Sequence, residues 1–239
     1  MKRGFPIPIL IHLIAPLPLA WLVWRFLTNQ LTVNPIQAAT QRTGDIALIF
    51  LLLSLACTPL NTWFGFRLAL RVRGWLGLYA FFYALLHFIL FAGVDYGLNW
   101  ALILPEITEK RFILIGMAAF LILLALAITS FRWWMKHLGK NWKRLHRLVY
   151  LAGILVVLHY GWALKGDFLR LRGNVGKPLL AGVILIFLLA SRIPVIRKAI
   201  VRLRSGLAAW WYHLQLKNYD IRIDYNSRRE VKDVTKNAR

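Results

Sequence analysis

Residues 74–94 have the sequence GWLGLYAFFYALLHFILFAGV, an apolar run without a charged side chain. A helix of about 20 apolar residues crosses the hydrocarbon core of a bilayer, so this run predicts a transmembrane helix. Further runs of similar character lie on both sides of it. The six predicted spans cover residues 8–27, 45–62, 74–94, 112–130, 146–164 and 178–194.

The composition of the whole chain also indicates a membrane protein. Hydrophobic residues make up 59%, the mean hydropathy is +0.57, and only nine of 239 residues are acidic. That leaves too little polar surface to cover a soluble globule. The first span lacks a convincing cleavage site and is rich in proline, which predicts a retained, bent helix. We therefore expect an all-α integral membrane protein, a six-helix transmembrane bundle over residues 8–194 with a basic tail over 195–239.

The basic residues predict the orientation of the bundle. With the N-terminus in the cytoplasm, 23 of the 31 lysines and arginines fall on the cytoplasmic side, as the positive-inside rule requires. The expected topology is N-in/C-in, and it accounts for the net charge of +22 without a nucleic-acid partner. Apolar residues recur at helical spacing in the tail between arginines and lysines, which predicts an amphipathic helix on anionic membrane lipid.

Two histidines, His87 and His159, are expected at the same depth. Each lies 13 residues beyond the cytoplasmic start of an outward-running span, or about 20 Å along the helix. An imidazole in hydrocarbon is costly and needs a partner. Haem iron held from both sides would be such a partner, and it would leave no open coordination position, so the expected role is electron transfer. The alternative is two core histidines bonded to backbone carbonyls or to each other.

His146 lies at the cytoplasmic mouth of the fifth span and is a candidate ligand of a second cofactor. It is about 140° around its helix from His159. The position at equal depth in span three is Arg73, which is a poor iron ligand but suits a haem propionate, a flavin phosphate or a lipid phosphate. His12, in span one, shares that depth and is a candidate for the missing ligand. The alternative for His146 is an interfacial hydrogen-bonding residue.

The sequence around these residues resembles a known family. The matching motifs are RGWLGLYAFFYALLH (73–87), LAITS (126–130), LGKNWKRLHRLVY (138–150) and HYGWALK (159–165), with Asn34-Pro35, Thr43-Gly44 and Thr58-Pro59-Leu60. Together they resemble the MsrQ (YedZ) family, the haem-binding membrane subunits of bacterial MsrPQ methionine sulfoxide reductase systems. Wider relatives are the ferric reductase-like transmembrane domains, in which two helices each carry two haem histidines. Here Arg73 stands where the fourth histidine would be.

The resemblance implies cofactors, partners and a location. His87 and His159 would ligate an outer haem b, His146 would belong to an inner one, and FMN is a further implied cofactor. Electrons would come from the respiratory quinone pool or a cytosolic flavin reductase. They would pass to MsrP, a periplasmic molybdopterin enzyme that reduces methionine sulfoxide in oxidised proteins, so the substrate chemistry is expected on that partner. The implied location is the bacterial inner membrane.

Three functional classes remain open at this point. The first is the electron-transfer subunit just described, and the second is a self-sufficient ferric or quinone-linked cytochrome b reductase without a protein acceptor. The third is a transporter or structural membrane protein, against which the matched depth of His87 and His159 argues. The chain has no Gly-x-Gly-x-x-Gly fingerprint after a strand and only about 45 residues after span six, so the reductant must come from outside this chain. The tail helix is a candidate docking surface for a soluble donor.

Overall fold

The computed structural model describes residues 7–164, 176–207 and 209–212, with side chains from Ile9 onward. All regular structure within these ranges is helical. The helices are α1 Ile7–Ile14, α2 Leu17–Leu27, α3 Pro35–Phe64, α4 Arg67–Ile89, α5 Trp100–Glu109, α6 Arg111–Ile128, α7 Arg132–Leu138, α8 Lys140–Leu145, α9 Leu148–Ala163, α10 Gly176–Ala190 and α11 Pro194–Tyr212. The expectation of an all-α fold is therefore confirmed for the described residues.

Several of these helices are long and apolar enough to cross a membrane. By length and composition the described residues contain five such spans, at Ile9–Leu27, Pro35–Phe64, Arg67–Asp95, Arg111–Ile128 and Lys140–Ala163. A sixth would consist of α10 together with α11, which are bent by 78° at the break between them. The protein is thus a multi-pass membrane protein with five or six spans. The sequence did not predict the separate helix α5 between the third and fourth spans.

The first span is broken, as its prolines predict. Helix α1 ends at Ile14 and α2 begins after Pro16, because proline removes a helical hydrogen bond. The Tyr83 hydroxyl on α4 donates a hydrogen bond of 2.6 Å to the carbonyl oxygen of Ala15 at the break. Both residues are completely buried. This contact supplies a partner for a backbone carbonyl that would otherwise lie unpaired in hydrocarbon.

Helix α3 begins ten residues before the predicted span. The Asn34 side chain caps it by accepting a 3.0 Å hydrogen bond from the backbone of Gln37, and Pro35 occupies its first turn. The helix ends at Gly65, whose φ of +70° suits a residue without a side chain. The prediction placed the start later because the polar first turns do not register in an apolar window, although they belong to the same helix.

The bundle contains two closely packed helix pairs. Helix α3 packs mainly against α4, and α6 packs mainly against α9, while α10 covers α9. One continuous core of small, aliphatic and aromatic residues joins these helices. Its most buried members are Ala15, Leu51, Leu55, Ala80, Tyr83, Ala152 and Leu185. Helix α4 continues beyond Ile89 as a π-helical segment, Leu90–Asp95, just after His87.

Helix α11 follows the break after α10 and contacts the end of α3. The Arg204 guanidinium donates 3.2 Å hydrogen bonds to the carbonyl oxygens of Asn61 and Thr62 in the last turn of α3. The Asn61 carbonyl also accepts from the backbone N–H of Gly65, so Arg204 adds a second donor there. Large apolar side chains of α11, including Leu203 and Leu207, are exposed. Residues 213–239 of the predicted basic tail lie outside the described residues.

Candidate functional site

His87 on α4 and His159 on α9 face each other across the bundle. Their ring centroids are 6.0 Å apart and the ring planes are inclined by 85°. The two helices come from different packed pairs, and the equal distance of each histidine from the start of its predicted span brings the rings to one level. The structure therefore brings these two sequence-predicted residues together.

Each histidine is held by one ring nitrogen on a backbone carbonyl. Nδ1 of His87 donates to the carbonyl oxygen of Thr40, and Nδ1 of His159 donates to that of Phe112, both at 2.7 Å. A carbonyl oxygen only accepts, so Nδ1 carries a proton, and in the neutral imidazole Nε2 then keeps its lone pair. Among the described residues, neither Nε2 has a hydrogen-bond partner. Each ring is thus oriented, and its tautomer fixed, in the form that binds metals.

Glycines make room for both rings. A Cβ built on Gly44 of α3 would lie 3.1 Å from Nδ1 of His87, and one built on Gly116 of α6 would lie 2.6 Å from Nδ1 of His159. The second distance is shorter than real Cβ contacts, so no other residue fits at Gly116 without moving the ring. Each glycine lies four residues after the carbonyl that holds its histidine, so one helix turn provides both the acceptor and the space.

The two histidines line a cavity of about 470 Å³, which we call the histidine cavity. Its volume falls within the range of small-molecule and cofactor pockets. Much of the wall is apolar and aromatic, contributed by Leu48, Leu51, Phe88, Met117, Phe120, Leu123 and Val156. Phe88 and Phe120 stack on each other with centroids 5.0 Å apart. Such a wall suits a flat apolar ring system.

Charged residues line one end of the histidine cavity. Lys110 forms an ion pair with Glu106, and Lys177 lies 3.9 Å from Asp45. The hydrogen bond from Lys110 lowers the pKa of the Glu106 carboxyl and raises that of the Lys110 ammonium. Desolvation, followed by the hydrogen bond to Glu106, raises the pKa of Tyr96. The cavity is therefore amphipathic, apolar along its wall and charged at one end.

This arrangement fits a haem with two axial imidazoles. The porphyrin occupies four of the coordination positions of iron and leaves two for the protein. Metal–imidazole bonds are about 2.0–2.1 Å long, which is compatible with an atom between two rings whose centroids are 6.0 Å apart. Within the described residues no group of three or more histidine, cysteine or acidic side chains could hold a bare metal ion. The pair suits a prosthetic group that supplies the other ligands.

His146 and Arg73 lie at the other end of the bundle. His146 stacks on Trp142 with centroids 4.0 Å apart, and its Nδ1 donates to the Trp142 carbonyl at 3.1 Å. Its Nε2 is buried without a hydrogen-bond partner among the described residues. Arg73 donates from Nη1 to the Thr58 hydroxyl at 3.3 Å. Neither residue lines the histidine cavity.

His12 occupies a separate position on α1. Its Nδ1 hydrogen-bonds with the Tyr79 hydroxyl at 2.9 Å, and its ring lies edge-on to Trp75 with centroids 4.5 Å apart. Among the described side chains, no ring contact or hydrogen bond joins His12 to His146. The structure therefore does not bring together the two histidines that the sequence suggested for an inner haem.

Sequence reasoning missed several residues that shape these sites. The carbonyls of Thr40 and Phe112 carry no signal in the sequence, because any residue has one. Gly116 is the one glycine of α6, and an isolated glycine in a helical pattern was the only available hint of a close approach. Arg192 lies within the sixth predicted span, 178–194, and it reaches back to the carbonyl of Leu55 on α3 at 2.7 Å.

The fold and the facing histidines define a class, the membrane proteins with a ferric reductase-like haem domain. The family model described as "Ferric reductase like transmembrane component" matches residues 43–157. This range contains both helix pairs apart from their ends, and it includes His87 and His146. His159 lies two residues beyond it. No solved structure matches the chain.

Curated relatives narrow the class to one family. A Rhodospirillum rubrum protein is 44% identical over 80% of this chain and 88% of its own length. A Deinococcus radiodurans protein is 45% identical over 74% and 84%, and one from Xanthomonas euvesicatoria is 40% identical over 77% and 84%. Each is named "Protein-methionine-sulfoxide reductase heme-binding subunit MsrQ". The chain belongs to the MsrQ family, which confirms the resemblance found in its motifs.

Proposed function

We propose that this protein is a b-type haem electron-transfer subunit with His87 and His159 as the axial ligands of an outer haem. The observation that carries the proposal is the pair of Nε2 atoms left without partners by the bonds from Nδ1 to Thr40 and Phe112. A haem b bound there would supply a one-electron iron couple. With two protein ligands it would have no position open to substrate, which favours electron transfer over catalysis.

The residues around the pair would orient the group and exclude water from it. The carbonyls of Thr40 and Phe112 fix the two rings, and the apolar wall that includes Phe88 and Phe120 would exclude water from the group. Lys110 and Lys177 lie at the charged end of the cavity, where a propionate could meet a cation. No side chain of the site needs to transfer a proton for this role.

We propose a six-span N-in/C-in arrangement in the bacterial inner membrane, with residues 8–194 forming the haem domain. It rests on the distribution of basic residues, and it places the histidine cavity near the periplasm. The acceptor would be MsrP, as the family name of the relatives suggests. The donor would be respiratory quinone or a flavin reductase at the other face. Residues 195–239 would form a membrane-apposed tail whose amphipathic part is α11.

The same proposal includes an inner cofactor at His146 and Arg73, either a second haem b or FMN. Its support is the buried Nε2 of His146, which has no hydrogen-bond partner within the described part of the chain, and the position of Arg73, 14 residues before His87 on the same helix. The hydrogen bond with Tyr79 occupies only Nδ1 of His12, but no contact among the described side chains joins His12 to His146, so we assign His12 no coordination role. Counting haem per chain by pyridine haemochrome, together with flavin by fluorescence, tests this part.

A reduced-minus-oxidised spectrum of the detergent-purified chain tests the outer haem, and low-spin b-type bands are expected. The chain is then reduced without oxygen and mixed with MsrP and methionine sulfoxide. Reoxidation that requires both additions supports the electron-transfer subunit. Reoxidation by ferric citrate alone, at the same rate and without any effect of MsrP, would favour the self-sufficient reductase. Absence of haem after haem-replete expression would overturn the proposal.

A further inference from the structure

The acidic side chains of the described residues are all at one end of the bundle. Asp45, Asp95 and Glu106 line the histidine cavity, and Glu109 directly precedes Lys110 at the same end. The ion pairs found among these residues lie there too. The opposite end, within the described ranges, contains arginines, lysines and histidines but no carboxylate. Among the described residues, cations that are buried at that end therefore have no acidic partner.

Two arginines converge on one turn of α3 at this end. Arg192, after α10, donates from Nη2 to the carbonyl oxygen of Leu55 and from Nη1 to the Tyr150 hydroxyl, both at 2.7 Å. Arg73, on α4, donates to the hydroxyl of Thr58 at 3.3 Å. Leu55 and Thr58 are three residues apart, or about 4.5 Å along the helix axis. The two guanidinium groups thus approach the same surface of α3 from different sides.

The two cations have hydrogen-bonding capacity left over. Arg192 is half-buried, and its Nε is completely buried without a partner among the described residues, as is Nε2 of His146. Arg192 is the partly buried cation of the two, because the side chain of Arg73 is exposed. A partly buried cation beside a second positive charge is stable only when an anion or dipole offsets its charge. The described residues offer Arg192 the Leu55 carbonyl, the Tyr150 hydroxyl and the Tyr150 ring, whose centroid is 4.9 Å from the guanidinium carbon, and they offer Arg73 the Thr58 hydroxyl. All of these groups are neutral.

We propose that Arg73, Arg192 and His146, the inner basic cluster, bind the oxyanionic group of an amphiphilic molecule, either a phosphate or a carboxylate. Guanidinium groups suit such oxyanions because they donate in a planar fork. The cluster is distinct from the histidine cavity, because Arg73 precedes His87 by 14 residues, or about 21 Å of helix. The inference deepens the inner part of the proposed function by naming Arg192 and the chemistry that it recognises. The same group occurs in a flavin phosphate, a haem propionate and a phospholipid head group.

The test uses the full-length chain in detergent and in lipid nanodiscs. The variants are Arg192→Gln, Arg192→Lys, Arg73→Gln and, as a matched control, Arg197→Gln, a basic residue of α11 with an exposed side chain. Three quantities are measured: FMN affinity by flavin fluorescence, phosphatidylglycerol retained by phosphorus assay, and haem per chain. A charge-assisted hydrogen bond contributes enough for its loss to weaken one of these about tenfold or more in both Gln variants. Arg192→Lys keeps the positive charge but loses the planar fork, so its value of the affected quantity should lie between those of the wild type and Arg192→Gln.

The quantity that falls identifies the source of the oxyanion. Lower FMN affinity indicates a flavin phosphate, loss of one haem indicates a propionate, and lower phosphorus indicates a lipid. The inference is overturned if Arg73→Gln and Arg192→Gln match Arg197→Gln in all three measurements, or if the wild type binds none of them. The outer haem spectrum serves as the fold check. If Arg192→Gln loses that spectrum, the exposed Arg73→Gln decides the result. Loss of the outer haem in the wild type would instead indicate failure of the proposed function.

Discussion

Gly116 lies closer to the ring of His159 than Gly44 does to the ring of His87. A Cβ at position 116 would be 2.6 Å from the ring nitrogen, and a Cβ at position 44 would be 3.1 Å from it. The two sites are otherwise equivalent, because each glycine follows the acceptor carbonyl by four residues. The two glycines can therefore be compared directly, because the same substitution at each would crowd a histidine ring to a different extent.

Gly116→Ala should displace the His159 ring and disturb the haem, whereas Gly44→Ala should have a smaller effect. Overpacking of this kind costs about 1–3 kcal/mol, and here the strain falls on an axial ligand. We expect loss of haem or a high-spin signal in Gly116→Ala, measured by absorption and electron paramagnetic resonance. Gly182→Ala is the control, since its Cβ would meet Val157 at an ordinary 3.5 Å. Equal spectra in Gly116→Ala and Gly182→Ala would contradict the proposed position of the ring.

His87→Ala and His159→Ala should each abolish the low-spin outer haem. Removing either imidazole leaves iron with one protein ligand, which changes its spin state and potential. His137→Ala is the matched control, because that exposed ring stacks on Trp133 far along the chain from both ligands. A low-spin spectrum of wild-type intensity in both ligand variants would rule out the assignment.

His146→Ala should leave the outer haem unchanged. Its ring does not line the histidine cavity and is held by Trp142 through stacking and a hydrogen bond. We expect the bands of the outer haem to persist while a second haem or the bound flavin is lost, as measured by haem and flavin content per chain. If His146→Ala loses all haem instead, it belongs to the outer site or to the folding of the domain.

Tyr83→Phe should destabilise the bundle without removing a ligand. The hydroxyl is the partner of the buried Ala15 carbonyl at the break in the first span. Leaving a buried acceptor unpaired costs about 1–3 kcal/mol, so thermal unfolding in detergent should occur at a lower temperature. Tyr212→Phe, at an exposed position, should not shift it. A Tyr83→Phe protein as stable as wild type would mean that the carbonyl finds another partner.

The Glu106–Lys110 ion pair should add no pH dependence to haem retention near neutrality. The folded pKa of Glu106 is lowered, so its contribution is present above the usual carboxyl pKa and lost as pH falls through the folded value. The folded pKa of Lys110 is raised, so its contribution is lost only as pH rises through that higher value. Between about pH 6 and 9 both groups stay charged.

Glu106→Gln measures what this exposed pair contributes. Pairs of this spacing on a solvent-exposed helix contribute about 0.3–0.5 kcal/mol. Haem loss on heating at pH 7 should therefore change only slightly, and the wild type should show a flat profile over the same pH range. A large drop in haem retention would contradict this expectation and would show that the ion pair is needed to keep haem in the cavity.

The sequence predicted most of the spans because hydrocarbon imposes a length and an apolarity that a single chain reveals. It also predicted that His87 and His159 share a level, since the rise of a helix converts residue number into depth. The helix α5 and the early start of α3 at Pro35 escaped prediction. Both involve polar or short segments, for which length and hydropathy give no signal.

The end of the bundle with Arg73 and His146 was harder to predict than the end with the histidine cavity. The motif with Arg73 pointed to a cofactor there, but the contact from Arg192 to Leu55 joins residues 137 apart in sequence. Such a contact depends on how α10 turns into α11, and local patterns do not encode that geometry. The pairing of His12 with Tyr79 likewise depends on how α1 packs on α4.

The acceptors of the two imidazole protons are main-chain atoms, contributed by residues as unlike as Thr40 and Phe112. Selection can therefore change those side chains without altering either hydrogen bond, provided that the replacements still fit the wall of the histidine cavity, which both residues line. What it must preserve is the register between α3 and α4, and between α6 and α9, since a one-residue slip would move both carbonyls away from their rings. Insertions and deletions within these four helices should consequently be purged far more strictly during evolution than substitutions at positions 40 and 112.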